Sequence, residues 1–198
     1  MENEETNWLQ KTETELLALV YKYACNGLRH SAKFGQDWLN RKKISPEISM
    51  ACFNSGQLHH RKAQEFKDAY EKIGLLKRSS VATNNGQIPY SLFGTNSIMF
   101  PLKNQNGQIV NFYAIGILNN KAAFFNQQGI YPAYPAEQTK KLFVVDSILE
   151  AATMLEAKVL DNREAVIALH DGIVSEEHQK MINSLTQLKK VVHIKSKK

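Results

Sequence analysis

The sequence predicts a mixed α+β and α/β protein with an N-terminal helical lobe, a β-hairpin and a final βαβαβ unit with a parallel sheet. Apolar residues recur at helical spacing up to residue 76, and Asn106-Gly107 separates two apolar runs. From residue 141 the pattern changes to continuous apolar runs that alternate with amphipathic segments. The expected domains are residues 1–78, 79–140 and 141–198. A chain of 198 residues with 43% apolar residues can bury a sizeable core.

Four helices are expected in the first lobe. Thr12-x-x-Glu15 has the pattern of a capping box and precedes the first helix, for which Gly27 is the expected stop. Ser45-Pro46 opens another, because serine caps free amides and proline fits the first helical turn. The other two are expected around Trp38 and over residues 62–73. Residues 8–76 are therefore predicted to be all helical.

The middle region is predicted to be a loop followed by a hairpin. Residues 79–92 contain Asn84-Asn85-Gly86 and Pro89, which favour a loop. A strand at Ile98-Met99-Phe100 and another over residues 109–118 flank Asn106-Gly107. This dipeptide is typical of a two-residue turn in which both central residues have positive φ.

The last region reads as strand, helix, strand, helix and strand. Strands are expected at residues 142–145, 165–169 and 191–194, and helices at 148–159 and after Ser175. Apolar strands connected by helices predict a parallel sheet with right-handed crossovers. The third strand would leave an exposed edge, which is a template for pairing with a partner or a second copy.

Basic residues concentrate in two places. The net charge is +6 overall, +7 over residues 22–78 and +5 over residues 189–198. A basic face suggests a polyanionic partner, nucleic acid first, and a solubilising surface is an equal alternative. The candidate nucleic-acid-binding residues are Arg41, Lys42, Lys43, Arg61, Lys62, Lys77, Arg78, Lys195 and Lys197.

Acidic residues follow the predicted strands, at the edge where a parallel sheet carries its functional crevice. Asp146 and Glu150 come after the first strand, and Asp171 comes after the second. These carboxylates are candidate catalytic or metal-binding residues, since a hard cation such as magnesium prefers oxygen ligands. In the alternative reading, Asp146 caps the helix and Glu150 lies in its first turn.

Other classes of protein are disfavoured. The two cysteines, Cys25 and Cys52, have no paired spacing, which argues against a disulfide framework and a cysteine zinc site and fits a cytoplasmic protein. The acidic N-terminus does not resemble a signal peptide. No apolar run approaches the roughly 20 residues of a membrane span.

Four segments, in order, resemble the catalytic core of bacterial DnaG-type primases over residues 31–198. They are Trp38-Leu39-Asn40-Arg41-Lys42-Lys43-Ile44-Ser45, then Ile98-Met99-Phe100-Pro101-Leu102 with Asn106-Gly107-Gln108-Ile109-Val110, then Phe143-Val144-Val145-Asp146-Ser147-Ile148-Leu149-Glu150-Ala151, and finally residues 168–178. The third segment is similar to the first motif of the topoisomerase–primase (Toprim) domain. The resemblance implies DNA-dependent primer synthesis, magnesium as cofactor, single-stranded or primed DNA as partner, and a helicase or another replication protein as a second partner.

The sequence departs from this family at its acidic positions. The family's glutamate falls on Asp146, its glycine on Ser147 and its aspartate on Glu150. The Asp-x-Asp motif that helps to bind magnesium in the family falls on Lys195-Ser196-Lys197. The family's two arginines fall on Ser97 and near Ile115-Gly116, and its zinc ribbon has no counterpart in these residues.

Three functions are therefore weighed. The first is a primase-related, nucleic-acid-binding protein of a replication or mobile-element system, with a degenerate metal site and no polymerase activity alone. The second is a fragment of an active primase whose remaining acidic motif lies beyond residue 198. The third is a protein-interaction module that pairs through its open sheet edge.

Overall fold

A computed structural model of the protein describes residues 7–30, 33–82 and 89–195. Lys197 and the Asn84-Asn85-Gly86 loop signal lie outside these residues. Within the described ranges, no helix is long and apolar enough to cross a bilayer.

The chain begins with helices, continues with antiparallel strands and ends with alternating strands and helices. A short 3₁₀ helix, Trp8–Gln10, precedes α1 (Glu13–His30), α2 (Lys33–Lys42), α3 (Pro46–Ser49), α4 (Gln64–Lys72), α5 (Ile148–Glu156) and α6 (Glu176–Ser184). The strands are β1 (Cys52–Asn54), β2 (Leu76–Arg78), β3 (Tyr90–Leu92), β4 (Ser97–Lys103), β5 (Ile109–Gly116), β6 (Ala122–Phe124), β7 (Lys141–Val145), β8 (Glu164–Ala168) and β9 (Lys190–Ile194). The predicted mixed fold class is confirmed.

Capping predicts where helices begin better than glycine predicts where they end. Thr12 and Glu15 form the expected reciprocal hydrogen bonds before α1, and the Ser45 hydroxyl accepts from the Ile48 amide at α3. The stop expected at Gly27 is wrong, because α1 continues to His30. A Cβ at Gly27 would lie 3.4 Å from the Phe53 carbonyl oxygen, so this glycine lets α1 approach β1 closely.

The prediction that residues 8–76 are all helical is also wrong. β1 lies inside this region and pairs antiparallel with β4, and β2 pairs with β3 from the predicted 79–92 loop. Each of these strands has three residues, and β1 is buried throughout. The alternation of apolar and polar residues that identifies a strand can be recognised only in a longer strand with one exposed face. These three-residue strands therefore carry no sequence signal.

A four-stranded antiparallel sheet with the order β1-β4-β5-β6 forms the centre of the molecule. One face, including Met99 and Phe112, packs in a cluster with residues of α1 and α4. The other face, including Phe100 and Tyr113, shares a cluster with residues of α2, α5 and β8. The helical and α/β regions therefore cover opposite faces of this sheet, and α2 reaches the same side as α5.

The predicted hairpin between β4 and β5 is present, but its turn is not the expected two-residue type. The Gly107 amide donates to the Asn104 carbonyl at 2.9 Å, and only Gly107 of the Asn106-Gly107 pair has positive φ, at +75°. The Asn104 side chain accepts from the amides of Asn106 and Gln108, both at 3.0 Å. These bonds favour the three-residue loop that ends in a left-handed glycine.

The predicted parallel sheet is confirmed, with the order β8-β7-β9. β7 is the central strand, and residues of α5 and α6 belong to hydrophobic clusters on its opposite faces. β9 is the edge strand and is mostly exposed along its length. Its pairing with β7 fixes which residues meet at the carboxyl edge of the sheet.

Candidate functional site

The loop after β8 folds back over the carboxyl end of β7. The Leu169 amide donates to the Val145 carbonyl, and the Gly172 amide donates to the Asp146 carbonyl, both at 2.9 Å. A Cβ at Gly172 would lie 3.9 Å from the Asp146 carboxylate. Asp171 precedes this glycine and has a φ of +52°. The structure therefore brings Asp146 and the Asp171 loop to one edge, where strand order predicts them.

Glu150 is directed toward the start of α5. Its Oε2 accepts from the Ser147 backbone amide at 3.0 Å, while the Ser147 hydroxyl accepts from the Glu150 amide at 3.3 Å. This is a complete capping box, with Ser147 rather than Asp146 as the cap. The capping alternative therefore describes Glu150, and its carboxylate is engaged by the helix it begins.

The carboxylates at this edge are the candidate ligands for a magnesium ion. Magnesium takes near-octahedral oxygen coordination. Among the described residues there is no group of three or more His, Cys, Asp or Glu side chains that could hold a metal ion. Asp146 and Asp171 are left as candidate ligands, with Glu150 committed to its cap. The described residues at this edge do not by themselves supply the two carboxylate clusters that two-metal chemistry uses.

Strand register places a lysine beside Asp146. Val145 of β7 pairs with Ile194 of β9, so Asp146 and Lys195 follow directly opposed residues on adjacent strands. Neighbouring strands are about 4.8 Å apart, and Lys195 is exposed. The third strand is therefore followed by a lysine at the edge where the resemblance leads one to expect carboxylates. Lys197 lies outside the described residues.

Two buried histidines, which sequence spacing did not mark as site residues, lie at the same edge. His170 is 4% exposed, and its Nε2 is 3.1 Å from the Gly129 carbonyl oxygen. His178 is fully buried; its Nε2 is 3.0 Å from the Ala168 carbonyl oxygen, and its Nδ1 is 2.6 Å from the Ser175 hydroxyl. Burial lowers the pKa of both imidazoles. They act as neutral donors that fix the loops around the crevice.

The basic end of α2 faces the carboxyl edge of the parallel sheet across a groove of about 410 Å³. Lys42 and Ile44 line one side, and Val145, Leu149 and Ile194 line the other. Arg41, Lys42 and Lys43 are all exposed, and the Lys42 ammonium lies 5.7 Å from the Trp38 ring centre. Lys195 follows Ile194 directly. Two basic regions that are about 150 residues apart in sequence therefore flank one groove.

The remaining predicted basic residues form a separate group around α4 and β2. Arg61 and Lys62 are exposed before α4, and Lys77 is exposed on β2. Arg78 differs from these, because it pairs with Asp68 at 3.2 Å and with Glu71 at 2.8 Å. Its guanidinium also lies over the Tyr90 ring. Arg78 is therefore the member of this group whose charge is locally compensated.

Comparison with solved structures identifies the fold. A primase domain from Pseudomonas aeruginosa superposes with a TM-score of 0.72 and 18% identity, covering 92% of this chain and 60% of that domain. A DnaG primase catalytic domain bound to single-stranded DNA superposes with a TM-score of 0.70 and 14% identity, covering 91% of this chain and 60% of that domain. The RNA polymerase domain of Mycobacterium tuberculosis DnaG, in complex with double-stranded DNA, superposes with a TM-score of 0.68 and 15% identity, covering 92% of this chain and 62% of that domain.

No protein-family model matches the sequence. No curated protein matches it either. The resemblance to the DnaG-type primase core is thus confirmed at the level of fold, and the chain spans about 60% of the length of these solved domains.

Proposed function

We propose that this protein is a primase-related nucleic-acid-binding protein that binds single-stranded or primed DNA through the groove between α2 and β9. The observation that carries the proposal is that Lys42 lines this groove and that Lys195 directly follows Ile194, which also lines it. Ammonium and guanidinium groups along a groove suit a phosphate backbone, because each neutralised phosphate releases counterions. Several solved domains with this fold hold DNA, which supports the same assignment.

The proposed activity is binding without primer synthesis by this chain alone. Two-metal phosphoryl transfer needs clustered carboxylates to hold both ions. In this protein Glu150 caps α5, and Lys195 brings a positive charge to the edge that carries Asp146. A positive charge near these carboxylates opposes a bound cation, although solvent weakens the effect because Lys195 is exposed. Magnesium affinity is expected to be millimolar or weaker.

Fluorescence anisotropy with labelled single-stranded DNA at several salt concentrations tests the binding proposal. The wild type is expected to bind weakly, without sequence preference, and with an affinity that falls steeply with salt. In a triple variant, Arg41, Lys42 and Lys43 are replaced by Gln. If all three contact phosphates, the slope of log affinity against log salt should fall by about two for single strands.

A matched control removes two positive charges elsewhere. Lys158 and Arg163 are exposed on the loop between α5 and β8, so Lys158→Gln with Arg163→Gln changes the net charge without touching the groove. This double variant should keep most of the wild-type salt slope. Binding that does not depend on salt, or equal losses in both variants, would contradict the groove proposal.

An active primase fragment remains the alternative for the same fold. It requires acidic residues encoded beyond residue 198 to complete the site. A primer-synthesis assay on residues 1–198, and on any longer chain that the gene encodes, separates the two, since the proposal above predicts no template-directed product from residues 1–198. A replication or mobile-element context, a helicase partner and a cytoplasmic location stay predictions.

A second candidate function is protein interaction through the β9 edge. Val191 and Ile194 are 37% and 38% exposed on this strand, which has β7 on one side only among the described strands. A second copy is a poor occupant, since antiparallel self-pairing with full overlap of β9 sets Lys189 opposite Lys195. Charge complementarity favours a partner strand with acidic residues. Light scattering during size exclusion should give a monomer, and a dimer would favour self-pairing instead.

A further inference from the structure

The chain's two cysteines, far apart in sequence, are neighbours in the structure. Cys25 lies on α1 and Cys52 on β1, and Cys25 packs against the buried cluster that contains Cys52. The Cys25 thiol is close enough to contribute to the raised pKa of the Cys52 thiol. Cys52 is completely buried, whereas Cys25 is half-buried and lines a cavity of about 320 Å³. Both are thiols in this structure. The pair therefore joins one thiol that faces a cavity to one that is enclosed in the core.

Several contacts hold α1 against the segment that carries Cys52. The Tyr21 hydroxyl donates to the Met50 carbonyl at 3.1 Å, and the hydroxyls of Tyr23 and Ser55 are also 3.1 Å apart. Gly27 brings the helix backbone close to Phe53, as described above. Because these contacts lie before and after the cysteines along both segments, the two thiols are held together by the fold.

We propose that Cys25 and Cys52 form a redox-active dithiol site that hydrogen peroxide oxidises to an intramolecular disulfide. The oxidant reaches Cys25 through the cavity. The Cys25 sulfur attacks the peroxide, the O–O bond breaks, and Cys25 becomes a sulfenic acid with release of one water. The Cys52 sulfur then displaces the hydroxyl group from Cys25 to form the S–S bond, and a second water leaves. Two thiols are oxidised and one peroxide is reduced.

The different burial of the two thiols sets the order of the steps. Burial and the contact with Cys25 raise the pKa of the Cys52 thiol well above its usual value, so Cys52 is a poor first nucleophile. Cys52 also contacts the Met99 carbonyl oxygen at 3.5 Å. It resolves the sulfenic acid because it is adjacent. The resulting bond would fasten α1 to β1 in the central sheet.

Hydrogen peroxide treatment of the native 198-residue chain, followed by mass spectrometry, tests this proposal. The expected product has lost two hydrogen atoms, contains a peptide that joins Cys25 to Cys52, and reverts with a dithiol reductant. The oxidised protein should also melt at a higher temperature, since a cross-link restricts the unfolded chain. Over-oxidation of Cys25 without the joined peptide, or disulfides only between molecules, would overturn the proposal.

Two further measurements use single thiols. A maleimide should label Cys25 and leave Cys52 unlabelled in the native protein, and equal labelling would contradict the assigned order. In Cys25→Ser, peroxide should leave Cys52 unmodified. In Cys52→Ser, Cys25 should accumulate as a sulfenic acid that a dimedone probe captures. Since Cys25 is half-buried, Cys25→Ser keeps the test decisive even if Cys52→Ser folds poorly.

Discussion

The central antiparallel sheet and the parallel sheet use their strands in opposite ways. β4 and β5 are buried along nearly their whole length, because helices cover one face and the α/β region covers the other. β9 is mostly exposed, and its carboxyl end meets the basic end of α2 across a groove. The difference indicates that the antiparallel sheet supplies stability, whereas the edge of the parallel sheet is where an external partner can bind.

The most severe test of this contrast substitutes the same residue type in both sheets. Ile115 on β5 is 4% exposed and Ile194 on β9 is 38% exposed. Ile115→Ala should lower the free energy of unfolding by about 2–5 kcal/mol, because it removes buried methyl groups and leaves a cavity. Ile194→Ala should cost much less. Urea denaturation of both variants measures this, and similar losses would show that β9 is covered in solution.

Acid should weaken the carboxyl edge of the parallel sheet through its histidines. Burial lowers the pKa of His170 and His178 in the folded protein. Nearby carboxylates act in the opposite direction: Asp171 and Glu177 raise the pKa of His170, and Glu177 raises that of His178. The unfolded chain therefore binds more protons as the pH falls below about 6.5. The contribution of these histidines to the free energy of unfolding should be fully present above that pH. It should be lost as the pH falls toward their lower pKa values in the folded protein.

Thermal melts between pH 8 and pH 5 measure the effect. His170→Gln keeps a donor near the Gly129 carbonyl and has no titrating ring, so it should flatten the dependence. Burial also lowers the pKa of His59, so some dependence should remain in this variant. An unchanged pH profile would show that His170 is not buried as a neutral ring.

Gly107 tests the hairpin that joins β4 and β5. Its φ of +75° is unfavourable for side chains with a Cβ, and nothing lies within 4 Å of where a Cβ would be. Gly107→Val should therefore destabilise by about 1–2 kcal/mol through backbone strain alone. Gly107→Asn is the matched control, since asparagine tolerates this conformation better. Equal melting temperatures for wild type and Gly107→Val would contradict the turn.

The smallest effect on stability is expected from substitutions of Glu150. They distinguish a role in the helix cap from a role as a metal ligand. Glu150→Gln keeps an acceptor for the Ser147 amide, so the free energy of unfolding should change little. Glu150→Ala removes the acceptor and should lower the free energy of unfolding by roughly 0.5–1 kcal/mol. Neither change should alter magnesium binding measured by calorimetry. A loss of magnesium affinity in Glu150→Gln at unchanged stability would restore Glu150 as a ligand.

Sequence patterns predict the parts of this fold that depend on local chemistry. The caps at Thr12, Ser45 and Ser175 mark helix starts because a single hydroxyl satisfies free amides there. The apolar runs of β7 and β8 mark buried parallel strands. The three-residue strands β1, β2, β3 and β6 are set by long-range pairing, and no local pattern distinguishes them from loops.

The site was only partly predictable, for a similar reason. Strand ends place Asp146, Asp171 and Lys195 at one edge from sequence order alone. Lys42 lies near this edge because α2 and α5 pack in one hydrophobic cluster, which the sequence does not reveal. The proximity of Cys25 to Cys52 depends on the contact between α1 and β1, which appears in neither spacing nor composition.

The most direct test of the central claim is to titrate magnesium into the complex with labelled single-stranded DNA at constant ionic strength, followed by anisotropy. The basic residues beside the groove and magnesium compete for the same phosphates, so DNA affinity should fall steadily as the magnesium concentration rises. A metal-dependent primase site would instead hold DNA more tightly when magnesium fills it. Affinity that rises over the millimolar range would contradict the claim that Lys195 and its neighbours replace the metal site.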